Sequence, residues 1–166
     1  MSVFLADGQG NFNAANEIPI GEARSAFEVG DFNGDGRPDL AVASAKGPVT
    51  ILLGDGAGNL AVAGSFDAGG GANAIVSGDF DGDGKLDLAV ARTGLNVVSF
   101  LRGDGTGNFA SAGGYLAGVR PVALATFDLD GDGVRDLIVG NNESRDVFLL
   151  LMGALEVSSA TSRPSR

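Results

Sequence analysis

The chain has 166 residues, 44% of them apolar, with 21 acidic against 11 basic side chains and a net charge of −10; that is enough for one packed domain, and the wrong sign of charge for a phosphate backbone. The absence of Cys and His excludes disulfides, Cys/His zinc sites, thiol nucleophiles and any catalysis that relies on an imidazole base. No segment approaches the ~20 consecutive apolar residues of a membrane span, and Met1 to Asp7 has neither the basic start nor the sustained apolar run of a signal peptide.

In chain order, Ser2 to Ile20 reads as two strands around the turn ADGQGNF, which starts at Ala6. A strand containing Ala26 and Gly30 then leads into DFNGDGRPD from Asp31, a second strand with Leu40 and Val42, and the turn GDGAGNL from Gly54. The middle of the chain divides into four expected strands: Ala72 to Asp79, Asp87 to Arg92, Asn96 to Arg102 and Phe109 to Leu116. The last part, Arg120 to Met152, supplies three strands, the third being Val147 to Leu151, and no GDGxGN turn follows it. No stretch of ten or more residues has a helical apolar period. Ser158 to Arg166 is polar and low in complexity, and residues 154–166 read as a disordered tail.

Two markers repeat in phase. DFNGDGRPDLAVA at Asp31 recurs as DFDGDGKLDLAVA at Asp79 and DLDGDGVRDLIVG at Asp128, after 48 and then 49 residues, and the GDGxGN turns keep the same period. The repeated unit is therefore one supersecondary element. Its four short strands are the content of a propeller blade, so the fold expected is all-β, with three blades of four antiparallel strands per chain, half a propeller. The unit spans residues 1–153, with the N-terminal strands completing a blade. Small residues in each first strand (Ala26, Gly30; Ala74, Gly78; Ala123, Ala125) suit convergence on a narrow channel, and Leu88 and Val90 alternating with Ala89 give the second strand a face for the next blade.

The aspartates of the three loops carry the chemistry. Positions 1, 3, 5 and 9 are Asp31, Asn33, Asp35 and Asp39; Asp79, Asp81, Asp83 and Asp87; Asp128, Asp130, Asp132 and Asp136. Eleven of the 21 acidic residues thus sit in three nine-residue loops, a density that repels itself without a cation. Position 7 (Arg37, Lys85, Val134) can add a backbone carbonyl, and position 6 is Gly each time (Gly36, Gly84, Gly133), which permits a sharp reversal. An all-oxygen cage of this kind suits calcium, three ions per chain. An EF-hand loop would carry Glu at position 12 and run on into a helix, whereas here position 12 is Val42 and the chain runs on into a strand. The expected site is a calcium loop between two β-strands.

Three copies of a GDFxGDGxxDLxVA-type motif, the third varied to FDLDGDGVRDLIVG, with a GDGxGNF-type turn resemble the FG-GAP or VCBS-type repeats of integrin-α-like β-propellers, over roughly Val3 to Met152. The resemblance implies that each aspartate loop joins the first and second strands of a blade, that its calcium is mainly structural, and that the domain acts outside cells in adhesion or ligand binding. Integrin propellers have seven blades with longer repeats; this chain has three.

The expected function is a non-enzymatic calcium-binding propeller module for interaction or assembly, closing as a six-bladed homodimer in an extracellular or cell-surface setting. Its partners are a second copy of the chain and a protein or carbohydrate ligand, with nucleic acid excluded by charge. The alternative is a detached piece of a larger secreted adhesion or polysaccharide-active propeller. Asp7, Asp55 and Asp104 occur singly and read as turn formers, and Arg102-Gly103-Asp104, an integrin-recognition tripeptide by spelling, reads as part of the recurrent turn.

Overall fold

The computed structural model describes residues 1–18, 20, 24–153 and 159–161, and among them there is no helix. A two-stranded antiparallel sheet of β1 (Ser2–Ala6) and β2 (Phe12–Glu17) comes first. Three four-stranded antiparallel sheets follow, each in chain order: β3 (Arg24–Gly30), β4 (Asp39–Ser44), β5 (Val49–Gly54) and β6 (Leu60–Phe66); β7 (Ala72–Gly78), β8 (Asp87–Arg92), β9 (Val97–Gly103) and β10 (Phe109–Leu116); β11 (Pro121–Phe127), β12 (Asp136–Asn141), β13 (Asp146–Leu150) and β14 (Ser159–Thr161). The chain is thus all-β, built from blade-like repeats.

Alternation along the second strand of each blade decides how the blades stack. In β8 every residue from Asp87 to Ala91 is buried, because both faces are covered. Leu88 and Val90 join Ala41, Ala43, Val49 and Ile51 of the first blade in one core, while Ala89 joins Leu137, Val139 and Leu150 of the third blade in another. Bulky side chains point back towards the preceding blade and small ones forward, so that each interface pairs large with small. Each fully buried Leu or Val contributes about 1.5–3 kcal/mol by leaving water. A third core, of Ile18, Ile20, Val42 and Leu52 with Val3, Leu40 and Leu60 packed against it, lies between the β1–β2 sheet and the first blade.

Polar bonds add lateral ties. Glu28 Oε1 in β3 accepts from the Ser77 backbone N–H at 3.2 Å and from the Ser77 hydroxyl at 2.9 Å in β7. At the other end of these strands, the Thr93 hydroxyl donates to the Pro121 carbonyl at 2.6 Å, linking the second and third blades.

The register of the N-terminal sheet identifies its place in a blade. Ala6 pairs with Phe12 as Gly54 pairs with Leu60 and Gly103 with Phe109. β1 and β2 therefore correspond to third and fourth strands, with no first or second strand beside them among the described residues.

At the C-terminus the structure departs from the expectation of an unstructured tail and a last blade without a fourth strand. Ser159–Thr161 pair with Phe148, Leu149 and Leu150 of β13. A free edge of unpaired N–H and C=O groups is a template for a further strand. Residues 154–158 and 162–166, also read as tail, lie outside the described residues.

Candidate metal centre

Each aspartate loop joins the first and second strands of its blade, and each closes on its own backbone. Asp79 Oδ1 accepts from the N–H groups of Gly82 (2.7 Å) and Asp83 (3.1 Å), and its Oδ2 from Gly84 (2.8 Å). Asp31 makes the same three bonds, to Gly34, Asp35 and Gly36, and Asp128 accepts from Gly131 and Gly133. These turns need left-handed backbone at two positions in each loop. Gly82 and Gly84 have φ of 78° and 81°, which a side chain would strain. The glycine at position 4 is thus as necessary as the one at position 6 that the repeat pattern singles out.

Position 9 has a second task that spacing alone does not reveal. Asp39, Asp87 and Asp136 are buried, and each uses both carboxylate oxygens on backbone donors. Oδ2 accepts from position 2 of its own loop: Phe32 at 2.9 Å, Phe80 at 3.2 Å, Leu129 at 2.6 Å. Oδ1 reaches the end of the third strand: Gly54 at 2.8 Å, Gly103 at 2.8 Å, Met152 at 2.8 Å. This residue clamps loop, second strand and third strand together. The clamp also accounts for Gly54 and Gly103, because a Cβ at either would collide with the carbonyl of Pro38 or Leu86. Burial pushes the Asp87 carboxyl above its usual range, with the Gly103 and Phe80 N–H groups opposing and the charges of Asp81 and Asp83 adding to the rise.

Carboxylates at positions 1, 3 and 9 converge in two of the three loops. Oxygens of Asp79, Asp81 and Asp87 lie within 4.8 Å of one another, as do those of Asp128, Asp130 and Asp136. In the first loop Asn33 stands at position 3, and its amide donates to Asp35 Oδ2 at 3.1 Å, so Asp31 and Asp39 have no third carboxylate partner of that kind.

The position 5 residues turn towards position 7 instead. Asp35, Asp83 and Asp132 accept from the N–H groups of Arg37 (2.9 Å), Lys85 (3.0 Å) and Val134 (2.8 Å). Lys85 Nζ also donates to Asp83 at 3.3 Å. Hydrogen bonding, first from the Lys85 backbone, holds the Asp83 carboxyl below its usual range.

The donor set fits a hard divalent cation: it is all oxygen, it is anionic, and no imidazole or thiolate exists anywhere in the chain. Bound there, an ion would supply charge neutralisation and a tie between loop and strands. Asp79, Asp81 and Asp87 would hold it in the second loop and Asp128, Asp130 and Asp136 in the third.

Sequence reasoning missed Arg102, which forms an ion pair with Asp81 across the blade. The only signal was a cation standing where Leu5 and Leu53 stand in the other repeats. Within the tripeptide, Arg102 faces Asp81 and the Asp104 carboxylate accepts from the backbone and hydroxyl of Thr106 at 2.8 and 2.7 Å within its turn.

The family profile described as FG-GAP-like repeat matches three overlapping segments, residues 1–42, 31–90 and 79–139. A search of curated proteins finds no match.

Proposed function

The chain belongs to the FG-GAP-like repeat family, and from that premise we propose that it is a non-enzymatic, calcium-binding β-propeller module for protein interaction and assembly. The observation that carries the calcium reading is the gathering of three carboxylates within 4.8 Å in both the second and third loops. Like charges at that separation repel, and a cation among them turns the repulsion into attraction. Its role is structural. Position 9 would be both ligand and clamp, so that an ion at the loop stiffens the end of the third strand as well.

The enzymatic alternative is weaker. Among the described residues, the groups of three or more acidic side chains placed to hold a metal are these same loops, and their carboxylates are already engaged in closing the backbone.

Assembly is supported by the two outer blade faces. Phe127 and Val147 at the third blade are exposed apolar side chains with no neighbouring blade among the described residues, and Phe27 and Val29 of β3 are exposed on the face that β1 and β2 cover only in part. Propellers close with typically four to eight blades; two copies of this chain related by a two-fold axis make six. Calcium sites in the micromolar to millimolar range are filled outside cells and mostly empty in a resting cytosol, which favours an extracellular setting.

Two measurements test this function. Titration calorimetry is expected to find three calcium sites per chain, moving the formal charge from −10 to −4 (three ions of +2), and chelation to lower the melting temperature. Linkage gives about 2.7 kcal/mol per site at a hundredfold excess over Kd. An unchanged melting curve in chelator, or a preference for zinc, overturns the calcium assignment.

A further inference from the structure

The interfaces between blades repeat one aromatic arrangement, and one copy lacks its central ring. Between the first and second blades, Phe109 at the start of β10 stands edge-on to Phe32 of the first aspartate loop, with centroids 5.8 Å apart, and to Phe66 at the end of β6, at 5.6 Å. One repeat later the positions of Phe32 and Phe66 are held by Phe80 and Tyr115, both in edge contact with Phe100 at 5.3 and 5.7 Å. No ring corresponding to Phe109 follows, because the sequence after Met152 contains no aromatic residue. A cavity of about 270 Å³ lies there, lined by Phe80, Phe100, Leu101, Tyr115 and Met152, together with the Asp81–Arg102 pair.

A matching ring exists at the other end of the chain. Phe12 closes the turn ADGQGNF as Phe109 closes GDGTGNF. It pairs with Ala6 in the register in which Phe109 pairs with Gly103. Yet Phe109 is buried, whereas Phe12 is 70% exposed on a sheet of only two strands.

We propose that this cavity is the socket for Phe12 of a second copy of the chain, β2 of each copy pairing along β13 of the other as β10 pairs along β9. The inference rests on the assembly reading above and specifies its contact. In the exchange the second copy's β13 takes the place of β1 beside β2, both being third strands by register. β14, which holds the same edge by three residue pairs against the six between β10 and β9, gives it up. Phe12 then faces Phe80 and Tyr115, as Phe109 faces Phe32 and Phe66. Each shared blade has three strands from one copy and the fourth from the other, and two such blades with the first and second blades of both copies make six. The Phe12 contact and its strand pairing form in reciprocal pairs, so the interface closes on itself and does not extend into a filament.

The chain carries its own reporter, since Tyr115 is the single tyrosine and there is no tryptophan. The experiment compares full-length wild type, Phe12→Ala, Phe12→Trp and Leu95→Ala in saturating calcium. Leu95 is 57% exposed, on the turn between β8 and β9, and serves as the control. Sedimentation equilibrium is expected to give twice the 16.6 kDa of one chain for wild type and Leu95→Ala, and a dimer dissociation constant raised at least tenfold for Phe12→Ala. In Phe12→Trp, energy transfer from Tyr115 to the tryptophan is expected to grow with concentration in step with the dimer fraction. A dimer equally tight with Phe12→Ala, or formed without energy transfer, overturns the socket and leaves the assembly standing. A monomeric mass for wild type at every concentration up to the micromolar range overturns the assembly and the socket with it.

Discussion

The carboxylate of Asp136 accepts a hydrogen bond from the backbone N–H of Met152 at 2.8 Å, across sixteen residues and from the second strand of the last blade to the end of its third. Asp39 and Gly54 make this bond in the first blade, and Asp87 and Gly103 in the second. The ninth position of the loop thus serves the fold whether or not an ion is present, and this separates it from position 5, which faces solvent.

Asp87→Asn is therefore expected to destabilise the chain even in chelator. The new amide nitrogen would meet one of two N–H donors, those of Phe80 and Gly103, leaving a buried donor without an acceptor. Losing charge-assisted bonds of this kind costs about 2–4 kcal/mol. Asp81→Asn, altering an exposed carboxylate of the same cluster, is expected to lower calcium-dependent stability and leave the melting curve in chelator close to wild type. Equal losses for both variants in chelator would show that position 9 has no structural role of its own.

How far the fold was legible depends on which contacts are local. The loops and their flanking strands follow from Gly and Asp at fixed offsets, and the structure places β8 at Asp87–Arg92 and β10 at Phe109–Leu116, the expected bounds. The clamp was not legible, because it needs the register that puts Gly103 beside Asp87, sixteen residues away. The change of spacing from 48 to 49 residues between markers reflects the longer turn between β8 and β9; pairing absorbs it, so that Leu52 lies opposite Leu40 as Leu101 lies opposite Leu88. The Arg102 contact with Asp81 depends on packing between distant strands, and β14 on a free edge, neither of which leaves a periodic trace. In the loops the aspartates at positions 1, 3 and 9 and the exchange of Asn33 for Asp are legible in the repeat, whereas the direction of the Asn33 amide, which donates to Asp35, is not.

Phe109 is the buried ring that joins the first two blades, edge-on to both Phe32 and Phe66. Phe109→Ala is expected to cost about 3–5 kcal/mol, the range for emptying a large aromatic site in a packed core. Phe109→Leu should recover more than half of that loss. Denaturant unfolding in saturating calcium measures both, and a loss under about 1 kcal/mol for the alanine variant would mean that this interface does not hold the blades together.

Asp104 offers a pH test outside the aspartate loops. Hydrogen bonds, first from the Thr106 hydroxyl and then from the Thr106 backbone, bring its pKa down to about 2 from the usual 3.8. Its folded-state pKa is depressed, so the unfolded chain binds the proton more readily. The stabilisation is fully present above 3.8 and is lost as the pH falls through about 2. The stability gap between wild type and Asp104→Ala should shrink over that window, and the carboxyl carbon of Asp104 should titrate near 2 by NMR. A midpoint near 3.8 would show that the turn does not hold the ionised form.

The three loops should differ in calcium affinity in an order set by position 3. Asp81 and Asp130 bring a carboxylate to clusters in which the oxygens lie within 4.8 Å. Asn33 brings a neutral amide, and in the first loop that amide points its Nδ2 at Asp35. Calorimetry on the wild type is therefore expected to resolve two tighter sites and one weaker. Asn33→Asp restores the fourth carboxylate of the first loop, and since calcium affinity rises with ligand charge, the weak site should tighten by roughly tenfold and merge with the other two. The same substitution should make the calcium-free protein less stable, because it adds a charge to a loop that already repels itself and removes the amide bond to Asp35. Opposite changes in the two states distinguish a ligand from a bystander: an unchanged weak site together with unchanged chelator stability would mean that position 3 does not face the ion.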